Sequence, residues 1–272
     1  MKASDFEFNG KRLSEFGCII ANFDGGKGLE TIDGVEITFN TIPSLNGSIY
    51  HLASSVYESC LETTIQIAKY SCSAGIQEIT TTEHRNLTRW LSQKKFMKFK
   101  ILDENHIDLY YNAAFSTISK IEIDGRLMGL ELNIITNSPY ALKEPKNITV
   151  KNSEANGKHS INDTSHEEGY IYPYTEIVVG NIDDIPEEKR NLRIHNAIEN
   201  RDTYIANVST GEVITMDYPV ISSSDSSHNI QNDFNWAFFR VANTYENSRN
   251  DLTISLPCTI KIKYSPIVKV GL

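Results

Sequence analysis

Phe6-Glu7-Phe8-Asn9-Gly10-Lys11-Arg12-Leu13-Ser14-Glu15-Phe16-Gly17 decides how the rest of this chain reads. Two phenylalanines flank one polar residue, so both rings fall on one side of a strand. Asn9-Gly10 follows at once. A two-residue type I′ turn needs positive φ at both central positions, which Asn-Gly supplies at little cost. Lys11 to Ser14 then forms a short return strand running into Phe16-Gly17. The stretch predicts a tight hairpin with one aromatic face.

Outward from the hairpin the pattern stays β, with one exception. Cys18 to Ala21 is a short apolar strand that Asp24-Gly25-Gly26-Lys27-Gly28 breaks. A polar, β-branched stretch follows to Asn40 and ends at Pro43. It alternates weakly, with Val35, Ile37 and Phe39 on one face, and by itself reads as a surface loop plus hairpin. Glu62 to Lys69 alternates cleanly, placing Thr63, Ile65 and Ile67 on one face of a half-buried strand. Thr80 and Glu83 then match a capping box, and Leu87, Trp90 and Leu91 form one apolar stripe. These signals predict a helix over 81–94. Strands follow at 96–102, 107–115, 118–123 and 127–136, with Asp124-Gly125 as a hairpin turn. Asn137-Ser138-Pro139-Tyr140-Ala141 closes the run. Proline removes a ladder donor, so a domain boundary is expected near 140–148.

The remainder is rich in Asn and Ser, with short strands at Ile171–Val179, Asn191–Asn196, Tyr204–Val208, Glu212–Met216, Val220–Ile221, Trp236–Val241, Leu252–Leu256 and Thr259–Tyr264. Many short strands at this spacing predict a sandwich or jelly roll. The expected fold class is all-β with one packed α-helix, in two domains, 1–145 and 146–272.

Composition narrows the function. The 272 residues are 40% hydrophobic and 22% charged, enough to bury real cores. The net charge is −9, and both halves are acidic: 14 basic against 18 acidic residues up to position 145, then 12 against 17. A sequence-specific nucleic-acid groove is not expected from this balance. A mildly acidic lumen would instead let DNA slide past. Cys18, Cys60, Cys72 and Cys258 lack C-x-x-C spacing and read as small buried hydrophobes. No secretory signal and no membrane span are expected.

Chemistry-bearing motifs are sparse. The seven histidines show no i, i+4 pair on the expected helix and no H-E-x-x-H, so no metal site is expected. Asp24 to Gly28 lacks phosphate-loop spacing and a following helix. The carboxylate pairs Asp103-Glu104, Asp183-Asp184 and Glu187-Glu188 are sequence neighbours whose side chains diverge. No catalytic residue, cofactor or enzymatic activity is expected. Trp236, between Phe234 and Phe238, reads either as a core-strand residue or as an exposed platform on which a sugar ring could stack.

Aromatic-x-aromatic-Asn-Gly-x-x-Ser-x-Phe-Gly, a few residues from the initiator Met, resembles the start of the distal tail protein family of long-tailed phages. The order of strands, one helix and a strand meander is similar to that family's amino-terminal β-sandwich or split-barrel domain. The Ser-Pro-Tyr-Ala junction resembles its domain border. Asn207-x-x-Thr210-Gly211-Glu212 and the closing Thr259 to Pro266 resemble its galectin-like carboxy-terminal jelly roll. Ser265 stands where Arg is usual, and Arg249-Asn250-Asp251 where a Gly-x-Asn turn is usual.

The resemblance implies a structural component of a phage or prophage-derived tail tip: a homo-oligomeric, hexameric ring joining the tail tube protein to tail-associated lysin or receptor-binding proteins. It implies an extended arm near 24–42 that packs on the neighbouring subunit. The interface residues expected on this basis are Phe6, Phe8, Asn9, Gly10, Phe16, Val35, Ile37 and Phe39, joined by the outward face of the helix. A carbohydrate-binding adhesion protein without a ring, with Trp236 as its platform, is the alternative.

Overall fold

The computed structural model describes residues 4–23, 35–44, 47–57, 60–103 and 108–269, with backbone alone for 35–44 and 47–57. The chain divides into two compact units, Met1–Lys143 with Lys269–Leu272, and Glu144–Val268.

In the first unit, β1 (Phe6–Phe8) and β2 (Lys11–Arg12) form the opening hairpin. Asn9 and Gly10 both take positive φ, 51° and 74°, as a type I′ turn requires. A 3-10 turn over Leu13–Phe16 leads to β3 (Cys18–Ala21). After β4 (Val35–Ser44) and β5 (Gly47–Tyr57) come β6 (Glu62–Ser71), β7 (Gly75–Gln77), α1 (Thr81–Leu91), β8 (Met97–Ile101), β9 (Leu109–Ile123) and β10 (Arg126–Thr136). The main antiparallel sheet has the order β2-β1-β8-β9-β10-β6-β3, with β7 on β6. Its two ends approach: the Ile20 amide on β3 donates to the Ser4 carbonyl just before β1, at 3.0 Å. The sheet is therefore curled into a split barrel, with Ile65, Ile67, Leu130, Leu132 and Ile134 buried.

Two strands expected at 107–115 and 118–123 are one strand, β9. The ladder to β10 jumps from Asn133↔Thr117 to Ile134↔Phe115, which leaves Ser116 as an extra bulged residue. A bulge interrupts the alternation in sequence while the strand continues and bends.

The helix starts where the capping box places it. Thr80 Oγ1 accepts from the Glu83 amide, and Glu83 Oε2 accepts from the Thr80 amide at 2.9 Å. It ends at Leu91, short of 94, because the Gln93 side chain donates to the Trp90 carbonyl at 2.7 Å and closes the last turn. Lys69 on β6 pairs with Glu83 at 2.8 Å. That ammonium, followed by the Thr80 amide, holds the Glu83 carboxyl down at about 2 from an ordinary 4.5. A depressed folded-state pKa adds stability above the ordinary value, which is lost as pH falls from 4.5 towards 2. The Glu83 side chain is more than a third exposed, so solvent screening limits the effect to roughly 1 kcal/mol, cap included. Glu83→Gln should lower the urea midpoint at neutral pH and flatten its decline between pH 5 and pH 3, measured by equilibrium unfolding. An unchanged pH profile would contradict this.

The second unit follows a short β11 (Ala141–Lys143) that pairs Leu142 with Tyr110 of β9. It is a two-sheet sandwich. The strands are β12 (Lys146–Asn152), β13 (Gly157–Asn162), β14 (Gly169–Ile171), β15 (Tyr174–Val179), β16 (Leu192–Asn196), β17 (Arg201–Ile205), β18 (Val213–Asp217), β19 (Val220–Ser223), β20 (Val241–Asn243), β21 (Arg249–Ile254), β22 (Cys258–Tyr264) and β23 (Ile267–Val268), with a single-turn α2 (Ile230–Asp233) before β20. One sheet runs β12-β22-β15-β18-β19 and the other β13-β21-β16-β17. Ile177, Ile214 and Ile260 of the first sheet share one core with Ile194, Leu252 and Ile254 of the second.

Three local readings are corrected. The expected strand Trp236–Val241 is irregular up to Arg240. Asn235 Oδ1 accepts from the Tyr204 and Ala237 amides, a side-chain turn, and Trp236 sits at φ 56°, which no strand residue adopts. Arg249-Asn250-Asp251 opens β21 and is not a turn. Asn250 is fully buried, and its amide spans the Ala242 carbonyl and amide, at 2.9 and 2.8 Å. Cys60 and Cys72 are exposed, while burial pushes the thiols of Cys18 and Cys258 up to about 11 and about 12.

Candidate assembly surfaces

The opening hairpin is held by its aromatic face. Phe6 and Phe8 are fully buried. Phe6 packs against Trp90 of α1, Phe99 of β8 and Phe115 of β9 at 5.4–6.0 Å between ring centres. Phe8 meets Phe115 edge-on at 4.8 Å. Trp90 Nε1 donates to the Phe8 carbonyl at 3.0 Å, so the hairpin is tied to the helix by a hydrogen bond as well as by rings. Phe6 and Phe8 are therefore core residues of the first unit: burying both rings beside Trp90 stabilises this fold more than an exposed aromatic face could. Phe16 is half-buried and stacks on Trp90 at 4.5 Å. Asn9, Gly10, Lys11 and Arg12 form the exposed tip.

The stretch expected as an arm, 24–42, is described only in part. Residues 24–34 lie outside the described residues. From Val35 the backbone is extended through Pro43 to Ser44 and returns as Gly47–Tyr57, paired from Val35↔Tyr57 to Ser44↔Gly47. Among the described residues these two strands form a sheet of their own. At about 3.3 Å per residue the ribbon is on the order of 35 Å long. A two-stranded ribbon alone is marginal in water, and stability of such an element comes from a surface it packs on. The side chains of Val35, Ile37 and Phe39 lie outside the described residues.

A second unfinished edge lies on β9. The β8 ladder covers Tyr111–Ala113, and β11 covers Leu109–Tyr110. Beyond Ala113, among the described residues, β9 is paired on its β10 side alone. An unpaired edge of this length is a template for strand addition unless it is covered.

The second unit presents a strip of exposed aromatic rings. Trp236 is 57% exposed, Tyr218 55% and Tyr170 54%, while Phe234 and Phe238 beneath them are buried. Trp236 is thus exposed and not a core-strand residue. The signal missed was Asn235, whose side-chain turn rotates the next residue outward. Tyr170, Tyr172, Tyr218, Phe238 and Trp236 are linked ring to ring at 4.2–6.4 Å.

Inside this unit lies a polar cluster that sequence spacing did not reveal. Glu212 is buried and accepts from the Ser209 amide (2.9 Å), Ser223 Oγ (2.5 Å) and His228 Nδ1 (2.6 Å). His228 Nε2 lies 3.3 Å from Asp233 Oδ2. The cluster ties the 209–212 turn, β19 and the 225–233 loop together. Glu212→Ala orphans these donors and should cost about 3–5 kcal/mol in denaturant unfolding. A loss below 1 kcal/mol would contradict the geometry. Among the described residues no group of three or more His, Cys, Asp or Glu is placed to hold a metal ion, and no helix is long and apolar enough to cross a membrane.

A family model described as the phage tail protein N-terminal domain matches residues 1–138, and one described as the phage tail C-terminal domain matches 140–264. No curated protein matches the chain. Among solved structures, the crystal structure of the Dit protein of phage SPP1, presented as a paradigm of the hub adsorption apparatus in phages infecting Gram-positive bacteria, is similar over 97% of this chain and 99% of that one, with TM-score 0.62 and 12% identity. A chain of the phage p2 baseplate in its activated conformation with Sr aligns over 96% of this chain and 97% of its own, with TM-score 0.45 and 11% identity. The likeness to Dit is one of fold, and it spans both units. With its two halves matched in order by the two domain models, the chain belongs to the phage tail protein family.

Proposed function

We propose that this phage tail protein is a distal tail protein: a structural subunit that closes a hexameric ring between the tail tube and the baseplate or host-adhesion device. The observation that supports the reading is the ribbon of β4 and β5, a long two-stranded element that, among the described residues, pairs only with itself. A heterologous contact of arm on neighbour generates a closed ring when its rotation closes. The β9 edge beyond Ala113 is a second surface suited to addition of a neighbour's strand. Val35, Ile37 and Phe39, the exposed Asn9-Gly10 tip and Phe16 are assigned to the subunit contacts. Residues 1–145 form the ring domain, and 146–272 the galectin-like domain carried by it.

Tail tube protein and tail-associated lysin or receptor-binding proteins are the partners of this reading. The acidic balance of both halves suits a conduit through which DNA passes without sticking. The role is assembly, without catalysis or cofactor, at the virion tail tip, with subunits made in the bacterial cytoplasm. Sedimentation equilibrium over a rising concentration series should show a closed species of about six subunits. A single-chain mass at every concentration would instead favour an adhesion module that forms no ring.

A further inference from the structure

We propose that the carboxy-terminal sandwich binds a neutral glycan along the strip formed by Tyr170, Tyr172, Tyr218 and Trp236. This goes beyond the ring: it assigns a ligand to the second unit.

The strip has the properties of a ligand platform. Exposed apolar side chains scattered singly are ordinary, but these are contiguous. Tyr172 and Tyr218 stack nearly parallel, 4.2 Å apart at 6°. Tyr218 then meets Phe238, and Phe238 meets Trp236. Trp236 is held outward at φ 56°, a conformation that a bulky residue adopts only where surrounding bonds impose it. Asn235 imposes it through three bonds: from the Tyr204 and Ala237 amides to Oδ1, and from Nδ2 to the Asp202 carbonyl at 3.0 Å. The cost of presenting an indole to solvent is thus built into the loop.

The chemistry beside the rings selects the ligand. A pyranose offers a flat face of C–H bonds and a rim of hydroxyls. Flat rings meet the first, and fixed hydrogen-bonding groups meet the second. Arg240 lies 3.8 Å over the Tyr170 ring and pairs with Glu199 at 2.6 Å, so a guanidinium and a carboxylate are locked against one end of the strip. Such a pair can donate to and accept from neighbouring hydroxyls. Residues 144–268 carry 11 Lys and Arg against 18 Asp and Glu, a net of −7, which repels phosphate- or uronate-rich polymers. Five of the six large exposed apolar residues in this unit are aromatic, with Val220 the exception. Tyr, Trp and Arg anchor protein interfaces as well, so the assignment to a sugar rests on the flat, contiguous ring faces and on the locked Arg240–Glu199 pair beside them.

The test titrates the full chain with neutral oligosaccharides of glucose, galactose and N-acetylglucosamine, and separately with poly(glycerol phosphate), following tryptophan emission. Trp90 is buried, so a change in emission on binding reports Trp236. At least one neutral oligomer should saturate the signal. Trp236→Ala and Tyr218→Ala, checked for unchanged circular dichroism and unfolding midpoint, should each weaken binding about tenfold or more, by calorimetry. Tyr70→Ala, on the other unit, should leave it unchanged. No binding by any neutral oligomer, binding indifferent to both substitutions, or binding of the polyanion alone would overturn the proposal. None of these outcomes bears on the mass of the assembly, so the ring reading stands or falls separately.

Discussion

Replacing residues 35–57 by a short Gly-Ser linker should abolish assembly while leaving a folded single chain. The main sheet of the first unit, β2-β1-β8-β9-β10-β6-β3, includes neither ribbon strand. Removing them therefore deletes no ladder of that sheet, and longer or shorter surface connections shift stability only slightly. If the ribbon lies on a neighbour, its loss removes the largest part of the contact, and the shortened chain should sediment as one subunit at concentrations where the full chain is assembled. The unfolding midpoint of the shortened chain should match that of the full chain when diluted to a monomer. A shortened chain that assembles as before would show that the ribbon is not the joining element. One that fails to fold would show that the ribbon belongs to its own subunit's core.

Phe8→Ala should have the opposite profile, a large loss of stability within the subunit. The ring is fully buried, contacts Phe115 at 4.8 Å and Trp90 at 6.2 Å, and its backbone carbonyl receives the Trp90 indole. Truncating a buried phenylalanine costs about 3–5 kcal/mol, because the cavity adds to the lost transfer energy. That is a large share of the 5–15 kcal/mol or so that holds a domain together. Chemical denaturation followed by near-ultraviolet circular dichroism should show the midpoint of the first unit falling steeply, with the second unit's transition nearly unmoved. Loss of assembly with unchanged stability would instead return Phe8 to the subunit surface. Lys11→Ala, at the exposed tip, is the contrast: no stability change beyond about 0.5 kcal/mol.

The contrast between these residues shows what the sequence could disclose. Local rules were sufficient where the cause is local. Asn9-Gly10 fixed a turn, Thr80 and Glu83 fixed a helix start, and alternation at Glu62–Lys69 marked a buried strand face. The alternation of Phe6 and Phe8 disclosed a shared face but not what covers it. Covering comes from Trp90, Phe99 and Phe115, each more than eighty residues away, and no period in the sequence reports such a meeting. Ser116 broke one strand into two on paper because a bulge shifts the face without ending the ladder. Trp236 was ambiguous because the deciding group is the neighbouring Asn235 side chain, acting on the backbone of a distant strand. The Glu212–His228 pair was invisible for the same reason: its members are far apart in sequence and neither carries a motif. The second half of the ribbon was missed because Pro43 reads as a stop, whereas it sits next to the ribbon's end, opposite Ser48.

Electron microscopy of the full chain, with image classes sorted along the symmetry axis, tests the ring most directly. The expected image is a closed annulus of six copies around an open channel, each copy's residues 35–57 laid across the adjacent one. Particles of one chain each, or an open filament whose subunits never return to the first, would contradict it.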